Sequence, residues 1–342
     1  MNPAADATLD TLLLPFSSGQ LAWPQHARAL FLRARAGAAL RMPPPENLVC
    51  QQSFKPFADP LLGAGYLLTD SSAEIFPLTL ALPPRQREES RALLAHALQR
   101  TAPNGVVVAS MLNNEGARSG EADLQRLAGQ VHSLSKNKCR VFWAAAKPEL
   151  LNAVLMAEWA VLDAPRPIAD GRFISRPGLF AWDHIDAASA LLARCLPSDL
   201  AGRGADLGAG FGYLAAEILT RCTGVTALDL YEAEARALEL AQTNLQRTDQ
   251  ALNFYWHDVT QGLPHRYDFI VSNPPFHQGR ADQPDIGCAF ILAAAAALLP
   301  GGRLWLVANR HLPYEAVLKK NFKKVRTAAE EQGFKVIEAI KP

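Results

Sequence analysis

An acidic residue followed by three alternate glycines constrains the fold of this chain more than any other feature: Asp206-Leu207-Gly208-Ala209-Gly210-Phe211-Gly212. The next residues, 213–219, form an apolar periodic run without breakers, which predicts a helix. Alternate glycines between a strand and a helix allow a tight turn whose backbone can approach a ligand closely. A dinucleotide fingerprint needs its third glycine at position 213, where the chain has Tyr213, so the spacing argues against a pyrophosphate site.

Polar residues end or follow three further predicted strands. Residues 224–229 end in Asp229, residues 252–258 end in Asp258, and Asn273 follows the apolar run 267–272. In an open α/β sheet, ligands bind at the carboxyl ends of the strands, and a carboxylate there accepts hydrogen bonds from the hydroxyls of a ribose. We therefore predict one site lined by these polar groups, with Asp229 as the ribose acceptor.

The last of these strands leads into a rigid loop, Asn273-Pro274-Pro275-Phe276-His277. Two prolines prevent both further strand pairing and an ordinary helix start. The Asn273 side-chain oxygen and the Pro274 carbonyl can then act as two fixed acceptors beside the Phe276 ring, an arrangement that suits a planar ring carrying an exocyclic amine. A proline-rich turn in which Asn273 caps its own backbone is the structural alternative. His277 is a candidate general base or an ordinary hydrogen-bonded loop histidine.

Composition limits the class of protein. A length of 342 residues suggests about two domains, and 49% hydrophobic with 20% charged residues is typical of a globular protein. The net charge of +1 provides no global basic field, so any RNA contact must come from local patches. Scattered cysteines, no basic leader and no long apolar run predict a cytoplasmic protein with reduced thiols, no metal site and no membrane segment.

The N-terminal half has an α/β pattern of its own. Residues 12–14 and 105–109 are among its predicted strands, and 121–134 is one of its predicted helices. This half lacks the acid-glycine turn, and the strand at 105–109 leads into the glycine-rich stretch 113–120 instead of an Asn-Pro-Pro loop. Proline and glycine in the stretch 163–176 indicate a linker to the second half.

Taken together, Asp206-x-Gly208-x-Gly210-x-Gly212, Asp229, Asp258 and Asn273-Pro274-Pro275-Phe276 resemble the motifs of class I S-adenosylmethionine-dependent methyltransferases. The loop resembles the form found in enzymes that methylate exocyclic amino nitrogens. With the Pro-Gly-Leu-Phe of 177–180 and the stretch 307–314, the chain more narrowly resembles ribosomal RNA guanine-N2 methyltransferases of the RsmC and RlmG type. The first type modifies the small ribosomal subunit and the second modifies the large subunit. The resemblance is strong over 170–342 and faint before that.

The resemblance implies an α/β protein with two tandem Rossmann-like class I methyltransferase domains. It implies a degenerate N-terminal domain at 1–162 that aids RNA recognition and stability, a linker at 163–176 and a catalytic domain at 177–342. The implied cofactor is S-adenosyl-L-methionine, and the implied substrate is a guanine N2 amine of 16S ribosomal RNA within the small subunit. We expect a monomer that requires no metal.

Residue by residue, the resemblance assigns the following roles. Catalysis falls to Asn273, Pro274, Pro275 and Phe276. Cofactor binding falls to Asp206, Gly208, Gly210, Gly212, Asp229, Asp258 and Asn273. Candidate substrate-binding residues are Phe180, Asp186, His277, Arg310 and Arg118. The Ser-Arg pair usual in the family is replaced here by Ala181-Trp182. Asp186 has a structural alternative, because an acidic residue in a first helical turn is favoured by the helix dipole. Arg118 has one as well, in a solvated polar loop.

Three other functions stay open at this point. The stretch 308–312 also resembles the large-subunit type, although the overall length and the compact N-terminal half favour the small-subunit type. Tetrapeptides related to residues 273–276 are found in enzymes that methylate a protein glutamine or a DNA adenine amine. The duplicated N-terminal half argues against both of these substrates. A non-catalytic RNA-binding or assembly protein is expected to have lost Asp229 or Asn273, and both are present.

Overall fold

Two α/β units follow one another along the chain. The computed structural model describes residues 6–41, 45–69, 74–246, 250–275, 277–278, 281–282 and 284–342. The first unit comprises Met1–Pro165 with Arg176–Gly178, and the second comprises Arg166–Ser175 with Leu179–Pro342.

The first unit is a mixed sheet with helices packed against it. Its helices are α1 (Ala7–Leu12), α2 (Leu14–Ser17), α3 (Lys55–Gly63), α4 (Arg87–Gln99), α5 (Ala117–Ala128) and α6 (Ala153–Ala160). Its strands are β1 (Ala29–Leu32), β2 (Leu48–Gln51), β3 (Leu67–Leu68), β4 (Phe76–Ala81), β5 (Thr101–Leu112), β6 (His132–Lys136) and β7 (Cys139–Ala145). The strand order is β3-β2-β1-β4-β5-β7-β6, and only the pairs that involve β7 are antiparallel within the described sheet.

The second unit repeats this plan. Its helices are α7 (Ala187–Cys195), α8 (Tyr213–Arg221), α9 (Ala235–Asn244), α10 (Pro284–Ala297) and α11 (Glu315–Asn321). Its strands are β8 (Arg166–Ile168), β9 (Phe173–Ser175), β10 (Ala201–Leu207), β11 (Gly224–Glu232), β12 (Ala251–Trp256), β13 (Tyr267–Ser272), β14 (His277–Gln278), β15 (Ala281–Asp282), β16 (Leu298–Asn309), β17 (Lys324–Glu331) and β18 (Phe334–Ile340). The large sheet has the order β12-β11-β10-β13-β16-β18-β17, which matches the first sheet position for position.

The register of the second sheet positions the site. Strands β10 and β13 run parallel, with Leu207 opposite Ser272. The Ser272 hydroxyl donates a 2.8 Å hydrogen bond to the Leu207 carbonyl, which ties the two strand ends together. The glycine turn and the Asn-Pro-Pro loop therefore leave the sheet side by side.

The apolar pattern of β13 explains why this strand is central. Phe269 and Val271 are buried in the cluster on one face of the sheet, and Ile270 is buried in the cluster on the other face. A strand covered on both faces forms a near-continuous apolar run, as a parallel sheet requires. The carboxyl end of β13 is therefore held rigidly where the polar loop begins.

The predicted fold class is confirmed: both units are Rossmann-like α/β sheets. Three local predictions differ from the structure. Residues 12–14 cover the end of α1, a turn at Leu13 and the start of α2, and Asp6 Oδ1 caps α1 by accepting from the amides of Thr8 (3.0 Å) and Leu9 (3.1 Å). The helix predicted over 121–134 ends at Ala128, because Gly129 has a φ of 79°. The predicted linker 163–176 contains the β8–β9 hairpin, which belongs to the second unit.

Among the described residues, no helix is both long enough and apolar enough to cross a membrane.

Candidate active site

The glycine turn after β10 adopts backbone angles that favour glycine. Gly208, Gly210 and Gly212 have φ values of 75°, 55° and 91°. The amides of Gly208 and Ala209 donate to the Tyr231 carbonyl at 2.8 and 3.1 Å, which locks the turn against β11. A Cβ added at Gly210 would meet nothing within 4 Å. The turn therefore borders open space on one side, where a ligand can approach the backbone.

The β8–β9 hairpin, which lies within the predicted linker 163–176, supports the glycine turn. Asn244, at the end of α9, donates from Nδ2 to the Phe211 carbonyl at 2.8 Å and to the Ile174 carbonyl at 3.0 Å. Its Oδ1 accepts from the Ile174 amide at 2.8 Å. One amide side chain thus ties strand β9 to the glycine turn, so the hairpin is part of the structure that holds the site.

Asp206, the last acidic residue before the turn, is fully buried. No described side chain donates a hydrogen bond to its carboxylate oxygens, and the Ala215 amide is the backbone group that lowers its pKa. Burial, and secondarily the negative charge of Glu232, raises the pKa of Asp206 from its usual 3.8 to about 7. A buried acid held beside a second acid, with no cationic partner among the described residues, is costly. A cationic group bound at this edge would relieve that cost.

We expect the ribose acceptor at Asp229, but Asp229 does not lie at the end of its strand. Strand β11 continues past Asp229 and ends at Glu232. Glu232 is half-buried, and its Oε2 accepts from the Gly210 amide at 2.7 Å while its Oε1 accepts from the Glu234 amide at 2.8 Å. Burial raises the pKa of Glu232, and these backbone amides oppose the rise. The carboxylate at the sheet edge is therefore Glu232, which the prediction from sequence missed.

Asp229 lies inside the strand instead, where it is completely buried. Arg203 Nη2 (2.6 Å) and the Tyr267 hydroxyl (2.8 Å) donate to its Oδ2, and Asn253 Nδ2 (2.8 Å) donates to its Oδ1. Because the Tyr267 hydrogen is directed at Asp229, the Tyr231 hydroxyl must be the donor in its 2.6 Å contact with Tyr267. Asp229 is thus the centre of a polar network within the sheet and is closed to a ribose.

Asp258 follows the end of β12 and caps a short 3₁₀ turn. Its Oδ1 accepts from the amide of Thr260 at 2.9 Å and from its hydroxyl at 2.7 Å. The side chain is half-exposed, and no described residue donates to Oδ2. Asp258 therefore lies two residues past the end of β12, the strand next to β11, and not within the strand as predicted, and its role toward a ligand stays a prediction.

Asn273 is held by two partners from α7. Its Nδ2 donates to Asp186 Oδ2 at 3.0 Å and to Ser189 Oγ at 2.7 Å. Its Oδ1 is buried and has no hydrogen-bond partner among the described residues. A Cβ added at Gly208 would lie 3.8 Å from the Asn273 carbonyl oxygen, so the loop and the glycine turn are close neighbours. The structure thus brings Asn273 and the glycine turn together.

The remaining predicted residues differ in their setting. Pro274 is buried and Pro275 is exposed. Phe276 lies outside the described residues, and His277 is described only as the first backbone position of β14. Phe180 is 67% exposed, Arg310 is exposed beyond the carboxyl end of β16, and Arg118 is exposed on α5 of the first unit. Asp186 caps α7 by accepting from the Ser189 amide at 2.8 Å.

Comparison with known proteins gives this arrangement a family. The family model described as methyltransferase small domain matches residues 170–338. The ribosomal RNA small subunit methyltransferase C of Shewanella piezotolerans is 30% identical over 273 residues, which cover 80% of this chain and 77% of that protein. This chain belongs to the ribosomal RNA small subunit methyltransferase C family. A second member, from Psychromonas ingrahamii, is 29% identical over 78% of this chain and 76% of its own length.

A solved structure extends the likeness to both units. The 16S rRNA N2 G1207 methyltransferase RsmC of T. thermophilus, in complex with AdoMet and guanosine, has a TM-score of 0.83, with 99% of this chain and 93% of that chain covered. At 24% sequence identity, that comparison establishes the shared fold. The RsmC family is the one that the sequence motifs predict, and of the two subunit types it is the small-subunit one.

Proposed function

We propose that this chain transfers a methyl group from S-adenosyl-L-methionine to the exocyclic N2 amine of a guanine in 16S ribosomal RNA. The observation that carries the proposal is the Asn273 amide: its nitrogen is held by two partners, and its buried Oδ1 is left as an unused acceptor. An amine donor is the natural partner of such an oxygen. Membership of the RsmC family supports the same substrate.

The residues beside the glycine turn suit this cofactor. S-adenosylmethionine carries a positive sulfonium and a positive ammonium group, and Asp206, Glu232 and Asp258 place three acidic side chains at the strand ends. Opposite charges within a few ångströms favour the ionised carboxylates. The open space beside Gly210 leaves room for the methionine end to pack closely against the backbone of the turn. Glu232 would accept the ribose hydroxyls, and Asp258 or its neighbouring backbone would hold the adenine amine.

When bound, the cofactor supplies an electrophilic methyl group on sulfur. The chain's own contribution is to hold the guanine amine in line with that group. Asn273 Oδ1 and the Pro274 carbonyl would each accept one N–H of the amine, which draws the nitrogen lone pair out of conjugation with the ring. Positioning and fixed dipoles of this kind can supply about 7 kcal/mol or more of the barrier reduction. No strong general base is then needed, because the methylated nitrogen is acidic and releases one proton to solvent after the transfer, and His277 stays a candidate without an assigned role.

A guanine in structured RNA cannot present its amine to such a loop while it is stacked. We therefore expect the nucleotide to be splayed or flipped out, with Phe276 as its predicted stacking partner. Phe180 and Arg310, both exposed in the catalytic unit, and Arg118 in the first unit stay as predicted RNA contacts. The monomeric state and the role of the first unit in RNA recognition also stay predictions.

Methyl transfer to isolated ribosomal subunits tests the proposal. Labelled S-adenosylmethionine is supplied with either small or large subunits that lack the endogenous modification. Label in the small subunit at about one methyl group per particle is the expected result. Label confined to the large subunit would move the substrate to the sister type, and no label on either subunit would refute the proposal.

A further inference from the structure

Asp186, the N-cap of α7, and Ser189, within α7, both accept a hydrogen bond from the Asn273 amide. We propose that Asp186 and Ser189 are positioning residues for Asn273: they hold its NH₂ group and thereby point Oδ1 at the amine to be methylated. The inference rests on the proposed function, because an oriented acceptor matters only if an amine is the substrate. It gives Asp186 a different role from the RNA contact predicted from sequence.

The geometry of the three side chains determines the orientation. Asp186 Oδ2 accepts both the Ser189 amide at 2.8 Å and Asn273 Nδ2 at 3.0 Å, while Ser189 Oγ receives Asn273 Nδ2 at 2.7 Å. An ionised carboxylate accepts hydrogen bonds and donates none. The end of the amide that faces Asp186 must therefore be the NH₂ group. Both of its hydrogens are used, and only Oδ1 remains for a ligand.

A flipped amide would be harmful in two ways. It would place the Asn273 oxygen against the Asp186 carboxylate, and two acceptors cannot bond to each other. It would also direct two N–H donors at the guanine amine, which is itself a donor. An unpaired buried polar group costs about 1–3 kcal/mol, and each of these contacts would leave such groups unpaired. The wrong orientation is thus disfavoured by the partners on α7 before any substrate binds.

Asp186 also has a structural role, and the experiment must distinguish that role from the positioning of Asn273. It is the N-cap of α7, so Asp186→Ala would weaken the helix as well as release Asn273. Asn and Ser are both good N-caps. In Asp186→Asn, the side-chain oxygen can still accept from the Ser189 amide and from Asn273. In Asp186→Ser, the shorter side chain can cap the helix but cannot reach Asn273.

Kinetics on small subunits compares these variants. We expect kcat to fall about 10- to 100-fold in Asp186→Ser and less than about threefold in Asp186→Asn, with KM for S-adenosylmethionine changed less than about threefold in both. Adding Asp186→Ser to Asn273→Ala should cause no further loss, because Asp186 acts through Asn273. Asn152→Ala, which removes a comparable cap from α6 of the first unit, should leave kcat unchanged. Equal kcat values for Asp186→Ser and Asp186→Asn would overturn the proposal.

An NMR measurement decides the same point without any activity. The side-chain NH₂ signals of Asn273 are assigned by their loss in Asn273→Ala. In the wild-type protein and in Asp186→Asn they should exchange slowly with solvent. In Asp186→Ser and Ser189→Ala they should shift and exchange at least about tenfold faster. Unchanged signals in both of these variants would refute the positioning role. If the wild-type protein methylates neither subunit, the proposed function fails while this measurement still decides the orientation.

Discussion

The two units share one strand order, and they differ at the loop that follows β13 in the second unit and β4 in the first. In the second unit, Leu207 of β10 pairs with Ser272, and Asn273-Pro274-Pro275 follow. In the first unit, Leu32 of β1 pairs with Ala81, and Leu82-Pro83-Pro84 follow. The same two prolines thus follow the equivalent strand, but a leucine stands in the place of the asparagine. Leu82 is 2% exposed and has no side-chain acceptor.

A second difference lies at the end of the first strand of each sheet. Gly208 follows β10 with a φ of 75°, and Arg33 follows β1 with a φ of 54°. Arg33 Nη1 donates to Glu89 Oε1 at 2.7 Å, and the Glu89 side chain is only 5% exposed. The first unit thus has a large charged side chain with an ion-pair partner at the position where the second unit has a glycine. The scaffold is retained in the first unit, while the features that suit a cofactor and an amine are found in the second.

Among these substitutions, Asn273→Ala should lower kcat most, and the matched change at Leu82 should not lower it. We expect Asn273→Ala to lower kcat about 100- to 1000-fold, as the loss of one fixed polar group at a reacting centre does. Calorimetry should show S-adenosylmethionine binding within about threefold of wild type, because the glycine turn is intact. Leu82→Ala is the matched control: it should destabilise the first unit by about 2–5 kcal/mol without lowering kcat of the folded protein. Full activity in Asn273→Ala would refute the role of this residue.

The next effect concerns the buried carboxylate that we first expected to bind ribose. Removing Asp229 leaves Arg203, Asn253 and Tyr267 without their acceptor. We expect Asp229→Ala to lower the free energy of unfolding by about 3 kcal/mol, since a buried charged group and its donors lose their pairing. Denaturant titration measures this change. A variant of wild-type stability with a selective loss of cofactor affinity would return the ribose role to Asp229.

The complementary change is Glu232→Ala at the true end of β11. We expect the Kd for S-adenosylmethionine to rise about 10- to 100-fold, corresponding to the loss of one or two charge-assisted hydrogen bonds. The unfolding free energy should change by less than about 1 kcal/mol, because Glu232 is only half-buried. Calorimetry and denaturant titration on the same preparation provide both numbers. An unchanged Kd would remove Glu232 from the cofactor site.

The smallest expected effect is the pH dependence of stability and of cofactor affinity that arises from Asp206 in the second unit. The pKa of Asp206 is raised to about 7, so the folded apo protein holds this proton up to that pH while the unfolded chain loses it near pH 4. This group therefore lowers stability as the pH rises from about 4 to 7. A bound cation favours the ionised form, so cofactor affinity should increase about tenfold between pH 6 and 8. Asp206→Asn should abolish that dependence, and a flat profile in the wild-type protein would contradict it.

The fold class and the main loop were predictable because their signals are local. A tight turn with positive φ at alternate positions requires glycine there, and a strand of buried apolar residues followed by two prolines can only leave the sheet. Asp229 was misplaced because the end of a strand is not visible in its residues: Leu230 and Tyr231 continue the apolar pattern up to Glu232. The acid inside the strand is tolerated because three other strands supply its donors, a compensation that becomes visible only once the strands are paired.

Strand order was the other information that a single sequence did not contain. From sequence alone, the strand at 105–109 invites comparison with β13, and no Asn-Pro-Pro follows it. The sheet order shows that β4 is the counterpart of β13, and that the altered motif is Leu82-Pro83-Pro84. The partners of Asn273 were equally hidden, because Asp186 and Ser189 are separated from it by more than 80 positions along the chain.

The chemical identity of the methylated nucleoside shows which atom the Asn-Pro-Pro loop presents to the methyl group. Small subunits are methylated with S-adenosylmethionine that carries a deuterated methyl group, and the RNA is digested to nucleosides for mass spectrometry. If Asn273 Oδ1 and the Pro274 carbonyl hold the exocyclic amine of the proposed guanine, the label must appear as N2-methylguanosine. Label at guanine N7, a ring nitrogen with no hydrogen to donate, or on a carbon atom of a pyrimidine would contradict the account.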